Sequence, residues 1–518
     1  MSVSEAEAPG APAVMSRQQV LQAMSGLMMG IFVAILASTV VANALPRIVS
    51  ELGGSQASYT WVVTTELLAM TATVPLWGKL SDLYNKKLLI QLSLGLFVVG
   101  SLVAGFAPNI ELLIASRVAQ GIGGGGLTAL AQVIMAAIVS PRQLGKFSGI
   151  FGAVFAVGTV AGPLIGGVLV DTSWLGWRWC FFLGVPFAIA AILLLQRTLK
   201  LPTIRRDAKV DYLGAFLIML GVSTLLVWSS LAGAEFAWGS WQTAVLVPAG
   251  VVVLALAVFV ETKVPEPIIP LKLFRNRTVT LTTVASFLVG VAMFGGTVFL
   301  SQYFQLSLGK SPTVAGLMSL PMIFGLLVSS TVSGQLISRT GRWKGHLLLG
   351  SVLMAAGLGL LGLIDAHTSI VVLSLFMLVL GVGVGMLMQN LVLVTQNDVP
   401  AHDLGAATST LSFFRSLGGS IGVSALGAVL ANRVAALISQ GLGPMAGAGG
   451  EGGKVPNLAD LPAPIANVIR EAYGTATSDL FLISAPIALL VVVAVAFLKH
   501  LPLKTQSGLE RMAAEESA

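Results

Sequence analysis

The sequence predicts an all-α integral membrane protein, and three observations carry the prediction: composition, a succession of long apolar runs, and the placement of the basic residues. Of 518 residues, 55% are hydrophobic and only 10% are charged, and the mean hydropathy is +0.90. Soluble domains carry roughly 25% charged residues, so an aqueous fold has no place for this much apolar surface. A hydrocarbon layer about 30 Å thick does, because each helical crossing takes about 20 apolar residues.

The runs fall at 19–45, 59–79, 88–107, 111–138, 144–170, 177–196, 211–231, 241–261, 278–305, 313–337, 346–364, 370–396, 404–430 and 478–499, which gives fourteen expected spans. An even number puts both termini on one side. On that side fall twenty-one of the 29 Lys and Arg, with six on the other, and Arg117 and Arg415 lie inside spans. Basic residues accumulate in cytoplasmic loops, so a cell (inner or plasma) membrane protein with both termini in the cytoplasm is expected. The net charge of +7 therefore orients the chain, and nucleic acid is not an expected partner. Cys180 is the single cysteine, which excludes an internal disulfide. Residues 1–16 lack the basic region and cleavage site of a secretory signal.

The expected organisation follows from the runs: a cytoplasmic tail over 1–18, a six-helix bundle over 19–196, two inserted helices with basic linkers over 197–277, a second six-helix bundle over 278–499, and a cytoplasmic tail over 500–518. The second bundle is expected to contain a long outer loop at 432–477, rich in Gly, Ala and Pro, with a short helix near 465–473. The halves read as a duplication. The loop Gly78-Lys79-Leu80-Ser81-Asp82-Leu83-Tyr84-Asn85-Lys86-Lys87 is echoed from Gly334 to Lys344, and Gly162 and Gly166 are echoed by Gly418 and Gly422, both at a separation of 256 residues.

Several motifs are apparent rather than chemical. Gly121 to Gly126 matches GxGxxG, but no strand precedes it. Gly418-Gly419-Ser420-Ile421-Gly422 matches GxSxG inside an apolar span, outside any strand–turn–helix context. The four histidines form no HExxH or close pair, so no metal is expected, and without a P-loop ion coupling replaces ATP as the expected energy source. No cofactor is expected, and the absence of a nucleophile–base constellation argues against an enzyme.

The informative residues are the intramembrane charges and the glycine face of the fifth span. A charge at mid-bilayer costs about 2.5–3.5 kcal/mol on insertion scales, so it normally lines a cavity or pairs inside a bundle. Glu66, Arg117 and Arg415 qualify. In the span 2–3 loop, Gly78, Asp82, Lys86 and Lys87 form a candidate gate latch, an acid able to pair with a neighbouring helix terminus in one conformation and release it in another. Gly158, Gly162, Pro163, Gly166 and Gly167 make a smooth helix face with a bend built in. Candidate cavity residues are Asn43, Gln132, Gln302, Gln305, Gln389, Asn390 and Phe414.

Together these residues resemble the major facilitator superfamily, specifically its fourteen-span drug:proton antiporters. The resemblance runs through Ala44-Leu45-Pro46, Trp61-Val62-Val63-Thr64, the 78–87 loop, Arg117 with Gln120-Gly121, the span 5 motif, and Arg415 with Gly418-Gly419. It implies two six-helix bundles around a central cavity, with two extra helices between them, and export of small lipophilic or cationic compounds, as in multidrug efflux and antibiotic resistance, by alternating access driven by protons. The implied partners are such compounds, protons and membrane lipids, and a monomer is expected. A dedicated exporter of one self-made metabolite or lipid is the alternative within transport. Three departures stand out: Leu36-Ala37-Ser38-Thr39 lacks the acid that the family often carries in span 1, Leu83 replaces a basic residue after Asp82, and Asn85 replaces a glycine. Glu66 stands one helix from the vacated acid position and is the proton-coupling candidate.

Overall fold

A computed structural model describes residues 17–53, 56–172, 175–199, 201, 211–232, 236–310, 312–442 and 462–516. The described elements are helical, apart from one β-bridge between Ala232 and Phe236. The first half contains α1 (Arg17–Glu51), α2 (Gln56–Leu83), α3 (Lys86–Gly105), α4 (Ile110–Ile138), α5 (Pro141–Asp171), and α6 (Trp179–Phe182), which runs on into α7 (Gly184–Thr198). A hairpin follows, α8 (Tyr212–Leu231) and α9 (Trp241–Glu261). The second half contains α10 (Arg277–Gln302), α11 (Pro312–Met318), α12 (Leu320–Thr340), α13 (Lys344–Leu361), α14 (Ile370–Asp398), α15 (Leu404–Leu442) and α16 (Ala463–Ala496), and α17 (Gly508–Glu516) lies beyond it.

Twelve helices among the described residues are long and apolar enough to cross a membrane. The runs expected at 59–79 and 144–170, which are α2 and α5, are not among the twelve. α2 carries Glu66, Lys79, Asp82 and several threonines, which dilute its apolarity, and α5 contains side chains outside the described residues. α4 is the most enclosed of the twelve and α9 the least. Val251, Val252, Leu256 and Phe259 of α9 are exposed, a face suited to acyl chains.

Helix boundaries correct two expectations. The 432–477 loop is largely helix: α15 continues to Leu442 and α16 begins at Ala463, taking in the short helix expected at 465–473, while 443–461 lie outside the described residues. Helices outlast the hydrocarbon layer, so an apolar run marks the crossing and not the helix end. The 500–518 tail contains α17, whose Arg511 is buried. The span expected at 278–305 holds, but it finishes as a π turn over Tyr303–Ser307.

The halves are built alike, and glycines bring their helices together. A Cβ on Gly121 or Gly125 of α4 would strike the Glu66 or Met70 carbonyl of α2. In the second half a Cβ on Gly381 or Gly385 of α14 would strike the Met322 or Leu326 carbonyl of α12. The third helix follows suit, with Gly123 against Ser93 and Phe97, and Gly383 against Gly350 and Met354. Close backbone approach replaces the hydrophobic drive that lipid does not supply.

Candidate functional site

The first half encloses a charged network. Glu66 and Arg117 form an ion pair between α2 and α4, with Glu66 7% and Arg117 2% exposed. Arg117 also donates to the Gln120 side chain at 2.8 Å and the Val62 carbonyl at 3.3 Å, and Gln120 in turn donates to Ser101 of α3 at 2.8 Å. Ser38 of α1 donates to Glu66 at 3.5 Å. Thus the acid one helix from the vacated position faces a guanidinium at close quarters, and it reaches α1 through that serine. The glycine contact at Gly121 sets this distance, because it presses α4 onto the Glu66 backbone.

At the end of the bundle where α1 begins and α16 finishes, here called the basic end, the halves are bolted together. The Asp82 carboxylate accepts from the Gly405 and Ala406 amides at 2.9 and 2.8 Å, at the first turn of α15. Those amides are free because a helix start has no intrahelical acceptor for them, and the helix dipole favours an anion there. Gly78, one turn before Asp82, lies against Ser409 and Gly405 with no room for a side chain. The residues that depart from the resemblance have structural work of their own: Leu83 is buried, and Asn85 caps α3 by accepting from Lys87 N at 2.9 Å and Leu88 N at 3.4 Å. Lys87 donates to the Gln196 carbonyl at 2.7 Å, and Lys79 pairs with Glu266 in the linker after α9. Lys86 lies half-buried in the turn.

Sequence reasoning missed the second bolt. Arg142, at the start of α5, donates to the Ser338 and Arg339 carbonyls of α12 at 3.3 and 3.4 Å, and its amide donates to the Lys504 carbonyl at 3.3 Å. Residues 500–511 then run across both halves. His500 stacks on Trp343, Asn397 bonds both Pro502 and Lys504, and Arg511 donates to the Gln396 and Val399 carbonyls at the end of α14. Gly508 rests on Ala136 of α4. A nine-residue polar helix leaves no apolar run to find.

On α5, Gly158 and Gly162 face α1: the Thr39 hydroxyl donates to the Gly158 carbonyl at 3.0 Å, and a Cβ on Gly162 would strike Thr39. Gly166 is buried, and the side chains of Pro163 and Gly167 lie outside the described residues. The cavity candidates scatter. Asn43 is outside the described side chains. Gln132 accepts from Ser412 at 3.3 Å across the halves, and Asn390 donates to Ser333 and Met386 with its Oδ1 left unbonded. Gln305 bonds Ser301 within its own turn, and Phe414 packs on Phe274 and Phe413. Gln302 and Gln389 are half-buried. Arg415 is 9% exposed, and its Nη1 is buried without a hydrogen bond.

At the opposite end a pocket of about 370 Å³ opens among Ser307, Lys310, His367, Asn467 and Arg470. In the adjoining loop the Thr368 hydroxyl, and next the His367 amide, hold the Asp365 carboxyl below its usual range.

Comparison with known proteins agrees with this architecture. A family model described as Major Facilitator Superfamily matches residues 27–423. The multidrug transporter protein MdtP of Bacillus subtilis is 34% identical over 451 residues, 87% of this chain and 80% of that one. The multidrug resistance protein 3 of the same organism is 31% identical over 500 residues, 94% and 97% of the two chains. Among solved structures, the proton:xylose symporter XylE superposes with a TM-score of 0.60 at 13% identity, covering 96% of this chain and 99% of that one. That last likeness is one of fold.

Proposed function

Because this chain belongs to the major facilitator superfamily and is a membrane transporter, not an enzyme, we propose that it exports small lipophilic or cationic compounds in exchange for protons. The relatives named above support drug efflux. In this reading the chain crosses the cell inner (plasma) membrane fourteen times with both termini in the cytoplasm. α2 and α5, at 28 and 31 residues, are added to the twelve. At about 1.5 Å per residue each is long enough for a 30 Å hydrocarbon layer. The excess of Lys and Arg at the basic end supports the orientation. The bolts at that end then correspond to a closed cytoplasmic gate.

The observation that carries the proton coupling is the buried Glu66–Arg117 pair beside a stretch of α1, residues 19–45, that carries no acid. The Arg117 guanidinium supplies the countercharge for the Glu66 carboxylate inside the bundle. In this cycle a proton arriving from the outer side while the gate is closed displaces Arg117 from Glu66, and with the gate open the pair re-forms and releases the proton to the cytoplasm. Reciprocity then requires that protonation weaken the binding of a cationic substrate. No cofactor enters this cycle, since the proton gradient supplies the energy.

The test is transport in proteoliposomes with an imposed pH gradient. Wild type is expected to move an ethidium-like cation uphill, and Glu66→Gln to insert normally, bind the cation, and lose uphill transport. Uphill transport by Glu66→Gln at the wild-type rate would overturn the assignment of Glu66. Failure of the wild type to respond to the gradient would overturn proton coupling itself.

A further inference from the structure

Among the described residues, no hydrogen bond or ion pair engages the buried Arg415 guanidinium. Among the described residues the other deeply buried basic side chains are all engaged: Arg117 with Glu66, Lys79 with Glu266, Arg511 with two carbonyls. No hydrogen bond or ion pair joins Arg415 to any of them, and its Nη1 has neither partner nor solvent. Guanidinium cannot shed its charge in a protein and presents five donors in a fixed fork. Leaving such a group unpaired in the membrane interior is costly, and intramembrane charges of this kind mark ligand pathways.

Its place on α15 says where a partner would come from. Read away from the basic end, one side of α15 meets the opposing half step by step. The Gly405 and Ala406 amides hold Asp82 of α2, and the Ser412 hydroxyl donates to Gln132 of α4. Arg415 follows three residues after Ser412, on the same face, past these bonds. It therefore stands on the seam between the halves, directly beyond the closed gate. Of the carboxylates on the elements packed against α15, Glu66 is held by Arg117, Asp82 by the two amides and Asp479 of α16 by Arg433, while Glu111 and Asp398 stand at the ends of α4 and α14 and Glu471 at the outer pocket.

We propose that Arg415 is an anion-binding subsite of the transport pathway, taking the carboxylate or similar single-charged oxyanion head of an amphipathic acid whose apolar body lies between the halves. The fork geometry of guanidinium matches two carboxylate oxygens at once, which an ammonium does not. The inference rests on the reading of the chain as an exporter of lipophiles and extends its substrates from neutral and cationic compounds to lipophilic acids. The same chemistry fits the phosphate of an anionic lipid as well as a free acid.

The full chain, purified into nanodiscs of phosphatidylcholine, separates these cases with two fluorescent probes of one shape, pyrenebutyrate and pyrenebutyramide. Wild type is expected to bind the acid more tightly than the amide. Arg415→Met is expected to weaken the acid about ten- to hundred-fold, as loss of a charge-assisted hydrogen bond does, and to leave the amide within about two-fold. Arg415→Lys should recover part of the loss. Adding phosphatidylglycerol to the discs tells the sources apart: competition with pyrenebutyrate that Arg415→Met abolishes assigns the site to a lipid headgroup, and no competition assigns it to free acids. Equal loss of both probes in Arg415→Met, or unchanged acid binding, overturns the proposal. If the amide binds and the acid binds no better, the subsite falls while the lipophile reading stands; if neither probe binds wild type, both fall.

Discussion

The two halves share a backbone plan and differ in what they enclose. In the first half α2, α3 and α4 meet around Glu66, Ser101, Arg117 and Gln120. The glycine contacts fix the matching positions in the second half: Gly121 on Glu66 corresponds to Gly381 on Met322, and Gly100 on Gln120 to Gly357 on Leu380. Carried along the same helices, Arg117 falls on Met377 and Ser101 on Leu358. Glu66, Arg117, Gln120 and Ser101 therefore each have an apolar, buried counterpart in the second half. Since the same geometry is stable with methionine and leucine, packing does not demand the charges. Their presence in one half alone points to work that the other half does not do.

That comparison can be broken most directly by making the halves the same. Arg117→Met alone strands a buried carboxylate and is expected to cost about 3–5 kcal/mol, read as a lowered unfolding midpoint in detergent. The double change Glu66→Met/Arg117→Met installs the second half's side chains and should return stability to wild type or above, because an apolar isostere often matches a buried pair. Gradient-driven transport should stay absent. A stable double variant that still pumps uphill would show the charges to be structural.

A smaller effect sharpens the shared part of the plan. Gly121→Val and Gly381→Val each drive a branched side chain into the carbonyl of the neighbouring helix, and overpacking of this kind costs about 1–3 kcal/mol. The two variants should lose similar amounts of thermal stability. If only Gly121→Val did so, the equivalence of the halves would extend to their shape and not to their energetics.

The smallest effect concerns the two bolts, which are themselves unequal. Asp82 grips two amides, whereas the matching position, Ser338, offers only its carbonyl to Arg142. Asp82→Asn keeps one acceptor and loses the charge, so it should weaken the gate by about 0.5–2 kcal/mol, and Arg142→Ala by less. Cys180 is buried, so a cysteine placed at Thr408 can be labelled selectively. Faster labelling from the basic end in Asp82→Asn than in Arg142→Ala is the expected order, and the reverse would make Arg142 the principal bolt.

Much of this was legible in the sequence because a membrane makes crossings conspicuous. The apolar runs located the helices, and the glycine echoes at Gly78/Gly334 and Gly162/Gly418 located the duplication. The fourth helices escaped, since Gly121 and Gly381 are 260 residues apart, not 256, and unequal loops hide the match. Glu66 and Arg117 were singled out as charges out of place, and contact at Gly121 is what brings them together. Polarity within a span does not reveal which way a side chain faces: in the structure Phe414 packs on Phe274, and Gln305 bonds Ser301. Asn85 read as a departure until its side chain appeared as the cap of α3.

The strap formed by residues 500–511 has a consequence for biogenesis. It touches α4, α5 and α14, yet it follows all of them in the chain, beginning at His500, 96 residues after the first turn of α15 opens at Leu404. At roughly 5–20 residues per second, synthesis delivers it about 10–45 seconds after the start of the second bundle. The bundles therefore find their places with only the Asp82 and Arg142 bonds available across their shared end. Chain order alone separates insertion from closure by the strap.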